Sequence, residues 1–268
     1  MPERIRNKEN YYSQLKEMMK VLRENCPWDK EQTLTSLRTY TLEETHEVLE
    51  AIDQAVQHDE WHALKDELGD LLLQVLFYAR IASEGKHFDL DDVVESLIDK
   101  MIYRHPHVFH DAVTDDADAV LQQWERLKDA EHEDRSSLMD GIPPLPALAY
   151  AHKQQCRAAR VGFDWNRPEH VIEKMEEELH ELSHEVRNHA DPSRIEDEFG
   201  DVLFTLVNLG RKLDIDAELA LMHTNRKFAE RFRAMESIAT KRKQSLDELD
   251  LAALESLYHE AKESLATD

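Results

Sequence analysis

The chain repeats itself in order, and whatever fold one copy takes the other must take as well. Its first half carries Cys26-Pro27-Trp28-Asp29, then Glu43-Glu44-Thr45-His46-Glu47, then Glu67-Leu68-Gly69-Asp70, then Lys100 and Arg104. Its second half carries Gly162-Phe163-Asp164-Trp165, then Glu177-Glu178-Leu179-His180-Glu181, then Glu198-Phe199-Gly200-Asp201, then Lys227 and Arg231. Between the copies, Ser136 to Pro146 places three prolines and a glycine in a stretch without helical pattern. The expected organisation is a domain at 1–135, a Pro-rich linker at 136–147 and a second domain at 148–268.

Each copy reads as helical. Only six of 268 residues are glycine, and apolar residues recur at helical spacing through 34–56, 63–81, 171–186 and 195–213. No alternating β-branched run stands out, so the expected class is all-α. A formal net charge of −24 opposes nucleic-acid phosphates and anionic membrane surfaces, which argues against both partners. No apolar run is long enough to span a bilayer, and Met1 to Asn7 lack the apolar core of a secretory signal. Cys26 and Cys156 stand outside any Cys-x-x-Cys pair. The expected location is the cytoplasm.

The acidic motifs carry the chemistry. Residues three apart share a helix face, so Glu44 pairs with Glu47 and Glu67 with Asp70. A short polar connection near Asp59 turns the second helix back on the first and brings both pairs together. Glu178, Glu181, Glu198 and Asp201 repeat the set. Carboxylates gathered this way repel one another and titrate upward unless a cation joins them. Oxygen-only ligands favour Mg²⁺, with Mn²⁺ as a substitute. Glu-x-x-Glu is common on solvated helices; its duplication in matched positions is not.

Other residues add detail. Gly69 and Gly200 sit inside helical runs, where glycine costs about 1 kcal/mol relative to alanine. They imply either a close helix approach or room for a ligand. Lys227 with Arg231, and Lys100 with Arg104, are i,i+4 pairs able to grip polyphosphate or to form ordinary surface ion pairs. Lys174 lies one turn before Glu178, where the first copy has Tyr40. Trp28, Trp165 and Tyr258 are candidates for stacking a base or for plain packing. His105-Pro106-His107 lacks a matching ligand set and reads as a capped loop. No phosphate-cradling Gly-rich loop and no Gly-x-Ser-x-Gly elbow is present, which leaves metal-assisted hydrolysis.

Taken in order, Glu43-Glu44-x-x-Glu47 with Glu67-x-x-Asp70, and their second copy, resemble the MazG family. So do Cys26-Pro27-Trp28-Asp29, Arg104-His105-Pro106-His107-Val108-Phe109 and Val161-Gly162-Phe163-Asp164-Trp165, over nearly the whole chain. The resemblance implies tandem MazG-like bundles of the all-α NTP pyrophosphatase fold, assembled as a homodimer. It also implies Mg²⁺-dependent hydrolysis of nucleoside triphosphates to monophosphate and pyrophosphate. Carried over by position, Glu178, Glu181, Glu198 and Asp201 are metal ligands, and Lys174, Lys227 and Arg231 contact the triphosphate. Asn225 precedes that basic pair and joins the substrate-binding set with Trp165 and Tyr258. Glu177 is a candidate for orienting or deprotonating the attacking water, and the second copy is expected to be the main active site. In the first copy Tyr40 and Ile98 replace Lys174 and Asn225, so Glu44, Glu47, Glu67 and Asp70 form a lesser site.

Two other readings stay open at this level. Glu43-x-x-His46 and Glu177-x-x-His180, completed by Glu67 and Glu198, have the spacing of a di-iron carboxylate bundle. An acidic helical module that docks a protein partner is the non-enzymatic alternative.

Overall fold

The computed structural model describes residues 10–110, 116, 119–120, 123–124, 127 and 136–265, and among these it contains helices and turns but no strand. The chain divides into two compact units, Met1–Glu133 and Asp134–Asp268.

In the first unit α1 (Tyr11–Asn25) begins where the Asn10 side chain accepts from the Ser13 amide, satisfying one of the free N–H groups of a helix start. Pro27 opens the short α2 (Pro27–Glu31), a position where its missing N–H costs nothing. The long helices α3 (Leu37–His58) and α4 (Trp61–Glu84) follow. Asp59 separates them in the left-handed region at φ 59°, and its carboxylate accepts from the Trp61 indole N–H at 2.7 Å. That turn is short enough to force α3 and α4 side by side, and their acidic motifs with them. A capping box between Asp89 and Asp92 starts α5 (Leu90–Arg104), and α6 (Pro106–Phe109) follows. The core lies between α1, α3 and α4, with Met19, Leu37, Leu76 and Phe77 buried and Leu15, Leu73 and Ile81 packed around them.

The second unit repeats the plan with α7 (Ala147–Ala159), α8 (Pro168–Arg187), α9 (Pro192–Lys212), α10 (Ala217–Lys241) and α11 (Leu251–Leu265). Proline again opens α8 and α9, and the Asp191 side chain caps α9 by accepting from the Ser193 amide. Val171 and Val207 are fully buried, and Met235, Ala239, Leu257 and Ala261 join α10 to α11. Arg157 of α7 donates to the carbonyls of Leu138 and Asp140 at 2.6 and 2.5 Å, so the proline-rich segment is stapled to this unit. Arg23 does the same in the first unit, donating to the carbonyls of Asp29 and Gln32 at 2.5 and 2.9 Å.

The glycines choose between their two expected roles. A Cβ built on Gly69 or Gly200 meets nothing within 4 Å, so neither marks a close helix approach inside the chain, and each leaves open space beside Asp70 or Asp201. With nothing to clash, Gly69→Ala should gain helix propensity of about 1 kcal/mol. Urea denaturation followed by circular dichroism should show a higher midpoint at unchanged slope; a lower midpoint would mean that the space is needed for packing.

Candidate active site

The side-by-side helices deliver the acids as pairs. In the first unit Glu44 of α3 meets Glu67 and Asp70 of α4, with ligand oxygens all within 4.8 Å of one another. In the second, Glu178 of α8 meets Glu198 and Asp201 of α9 within the same limit. Glu47 and Glu181, the fourth acid expected in each set, lie outside these groups: Glu47 hydrogen-bonds Glu44, and Glu181 is the carboxylate whose charge acts most strongly on Glu198. The burial is uneven, since Glu178 is 6% exposed while Glu198 is half-buried and Asp201 exposed.

Crowding sets the electrostatics. Desolvation, then the charges of Asp70, Glu47 and Glu67, raise Glu44 above its usual range. Glu67 is raised by desolvation and then by Glu47 and Asp70, and Glu198 by desolvation and then by Glu181, Asp201 and Glu178. Each cluster therefore holds more negative charge than its own surroundings relieve. Clustered oxygen donors with no sulfur or nitrogen among them fit a hard divalent cation. His46 and His180 are exposed, and among the described residues neither belongs to a ligand cluster, so the di-iron arrangement is not formed.

The copies differ in what stands over the acids. Lys174 Nζ lies 2.8 Å from Glu178 Oε1 and 3.0 Å from Glu177 Oε1, and these carboxylates raise the lysine above its ordinary range. In the first copy Tyr40 occupies the matched position, its ring edge-on to Trp28 at 5.7 Å, and Trp28 in turn packs edge-on to Phe77 at 6.3 Å. Trp28 is thus a packing residue.

The basic pairs also diverge. Among the described residues Lys227 and Arg231 take no ion-pair partner, although both are half-buried on α10 in a strongly acidic chain. Their counterpart Arg104 is 8% exposed, with its guanidinium over the Trp124 ring at 5.2 Å. Asn225 is exposed on the same helix as Lys227. Beside that helix, α10 and α11 enclose a cleft of about 640 Å³ lined by Phe228, Phe232, Leu251, Glu255, Tyr258 and His259 among others. Phe228 and Tyr258 face each other there with ring centroids 6.0 Å apart and planes tilted by 37°. Trp165 is 37% exposed just before α8 begins. The His105 Nδ1–H donates to the Met101 carbonyl at 2.7 Å, ending α5 as a cap.

One arrangement has no precursor in the sequence reading. Asp164 binds both Arg211 and Lys212, the latter at 2.5 Å, and Arg211 also donates to Asn208 Oδ1 at 2.6 Å. Burial opposes ionisation of Asp164, but these cations hold it below its usual range. The clamp fastens the Gly162-Phe163-Asp164-Trp165 loop to the end of α9, and with it the entry into α8. The i,i+3 pair Asn208 and Arg211 was visible in the sequence; its partner 47 residues away was not. The aromatic i,i+4 pair Phe228 and Phe232 is the one local sequence signal for the cleft.

Comparison with known proteins is consistent with this geometry. The MazG nucleotide pyrophosphohydrolase domain matches residues 32–109 and again 166–235. The chain is 42% identical over 260 residues to the nucleoside triphosphate pyrophosphohydrolase of Escherichia coli K12, covering 94% of this chain and 97% of that protein. It is 44% identical over 255 residues to the nucleoside triphosphate pyrophosphohydrolase/pyrophosphatase MazG of Thermotoga maritima, covering 94% and 95%. An uncharacterized Bacillus subtilis protein is 42% identical over 267 residues, 97% of this chain but 54% of its own length.

The raised glutamates give the metal-free protein a signature in pH. A carboxyl whose folded pKa lies above its unfolded value binds protons more tightly in the folded state, so its contribution to stability falls as pH rises from about 4.5 through the raised value. Asp164 acts in another window, contributing stability above about 3.8 that is lost on further acidification. In EDTA the melting temperature should therefore decline as pH rises above about 4.5, less so in a Glu67→Gln/Glu198→Gln variant. Saturating Mg²⁺ should flatten the decline. Equal slopes in the wild type and the double variant would show that the clusters are not under charge strain.

Proposed function

We propose that this chain, which belongs to the MazG nucleotide pyrophosphohydrolase family and hydrolyses nucleoside triphosphates to monophosphate and pyrophosphate, does so chiefly at its second acidic cluster with Mg²⁺. The observation that carries this reading is the contrast between copies: among the described residues only the second cluster has a cation bonded to it, Lys174 on Glu178, where the first copy has Tyr40. The family assignment sets aside the reading as a purely interaction-bearing acidic module.

Glu178, Glu181, Glu198 and Asp201 would hold Mg²⁺, or Mn²⁺ in its place, which when bound would supply a polarised water and charge neutralisation along the triphosphate. The chain's own residues do the rest. Glu177, next to Glu178 and largely exposed, orients or deprotonates the water that attacks the α-phosphorus. Lys227 and Arg231 offset the charge that builds on the departing pyrophosphate, and Lys174 and Asn225 hold the remaining phosphate oxygens. The cleft between α10 and α11 takes the base, with Tyr258 stacking against it, and Trp165, exposed before α8, is a second stacking candidate.

The setting follows. Exposed apolar rows on the site helices, Leu68 and Leu72 on α4 and Phe199, Leu203 and Phe204 on α9, support assembly of two copies of the chain. No described helix is long and apolar enough to cross a membrane. The net charge of −24 disfavours nucleic acid as a partner. A housekeeping role on nucleotide pools, ordinary or non-canonical, in the cytoplasm fits these features.

Pyrophosphate release from a panel of NTPs and dNTPs tests the assignment. Glu178→Gln should lose at least about a hundredfold in kcat, Glu44→Gln should stay near wild type, and both should keep their helical circular dichroism. Full activity in Glu178→Gln would place the chemistry elsewhere. For the base, Tyr258→Ala should raise KM about tenfold or more with a smaller change in kcat, as expected for a contact made equally in the ground and transition states. An unchanged KM would remove Tyr258 from the substrate site.

A further inference from the structure

The ion pair between Lys174 and Glu178 carries more than a substrate contact. Glu178 is the most buried acid of its cluster, and its carboxylate accepts the Lys174 ammonium at 2.8 Å while standing within ligand distance of Glu198 and Asp201. Among the described residues Lys174 is the one cation bonded to an acid of either cluster. A buried carboxylate is costly without a counter-charge, and the ammonium provides it. The same bond takes up an oxygen and much of the charge that a divalent ion at Glu178 would use.

We propose that Lys174 is a built-in placeholder for the metal: its ammonium occupies Glu178 until a divalent ion displaces it, and the freed side chain then turns to the triphosphate. The inference rests on the reading of the second cluster as the metal site. Lysine suits this role, being a compact point charge on a flexible four-carbon stem that can reach either partner without moving the backbone of α8. Glu177, 3.0 Å from the same Nζ on the exposed side, steadies the parked position. The first copy supplies a contrast within one chain. There Tyr40 is uncharged and held edge-on to Trp28, and among the described residues no cation is bonded to Glu44, Glu67 or Asp70.

Thermodynamic consequences follow from one lysine serving two sites in turn. Metal binding must break the Lys174 bond, so the lysine weakens metal affinity in the absence of nucleotide. Once released, it strengthens triphosphate binding, and by linkage the triphosphate strengthens metal binding through the same residue. The second copy thus loads metal and nucleotide together in preference to metal alone.

The test uses the full chain carrying Glu44→Gln and Glu67→Gln, which silences the first cluster, with free Mn²⁺ followed by electron paramagnetic resonance. In that background Lys174→Met should bind Mn²⁺ about fivefold or more tighter than its parent, while Lys174→Arg, which keeps a cation on Glu178, should stay near it. Adding an α,β-methylene triphosphate, which cannot be cleaved at the reacting bond, should tighten Mn²⁺ more in the parent than in Lys174→Met. Unchanged or weaker Mn²⁺ binding in a Lys174→Met protein with normal circular dichroism overturns the placeholder while leaving the metal site standing. Absence of Mn²⁺ binding in parent and variant alike overturns both.

Discussion

Repulsion among carboxylates that two helices force together is the interaction on which the rest of each unit depends. Two-residue and four-residue turns set α3 against α4 and α8 against α9 in a register that puts three acid oxygens within 4.8 Å. Apart from the Lys174–Glu178 pair, that arrangement is unfavourable in the bare protein, and crowding raises Glu44, Glu67 and Glu198 above the usual carboxylate range. The helices stay in register because apolar contacts some turns away hold them: Leu37, Leu76 and Phe77 in one unit, Val171 and Val207 in the other. Strain at the acids is set against packing elsewhere, a common arrangement where a site is shaped for a ligand rather than for stability.

Arginine staples extend that support to the loops. Arg23 collects the carbonyls after α1 and also reaches Glu84 at 2.6 Å, tying both ends of the first helical layer together. Arg157 collects the carbonyls of the proline-rich segment. A guanidinium with five fixed donors suits this work, because loop carbonyls left without partners would be as costly as buried charges. The matched arginines of α4 and α9 have moved apart in role: Arg80 donates to Glu84 within its own helix, whereas Arg211 crosses to Asp164 and holds the loop before α8. The second unit has fixed the loop nearest Lys174.

These differences mark the limit of what the sequence could convey. Glu44 with Glu47 and Glu67 with Asp70 were legible because i,i+3 spacing needs only helical geometry, and the duplicated order made their convergence credible. The all-α class followed from the same periodicity. Glu178's burial beside the exposed Asp201 was not legible, since it depends on which face of α8 meets α9. Nor was the fate of Arg104, whose spacing from Lys100 matches that of Arg231 from Lys227 but whose guanidinium lies over Trp124. Gly69 and Gly200 were ambiguous for a related reason: a helix glycine admits a neighbour or a void equally well, and only the folded chain shows the void. Local patterns survive in one dimension, while contacts across 47 residues, such as Asp164 with Arg211, do not.

The divergence of the copies then has a direction. Both retain the acids, so both retain the electrostatic cost of holding them together. Among the described residues only the second has a cation bonded to its cluster, while its Lys227 and Arg231 are half-buried without an ion-pair partner. In the first, Tyr40 and Arg104 have been turned to aromatic packing with Trp28 and Trp124. Aromatic burial stabilises a unit without asking anything of a ligand, whereas half-buried cations without partners are stabilised only when an anion arrives. A duplicated fold under those two pressures separates into a copy that is stable by itself and a copy that is completed by its substrate. The retained acids of the first copy keep their mutual repulsion either way, and a divalent ion there relieves it without any nucleotide at all.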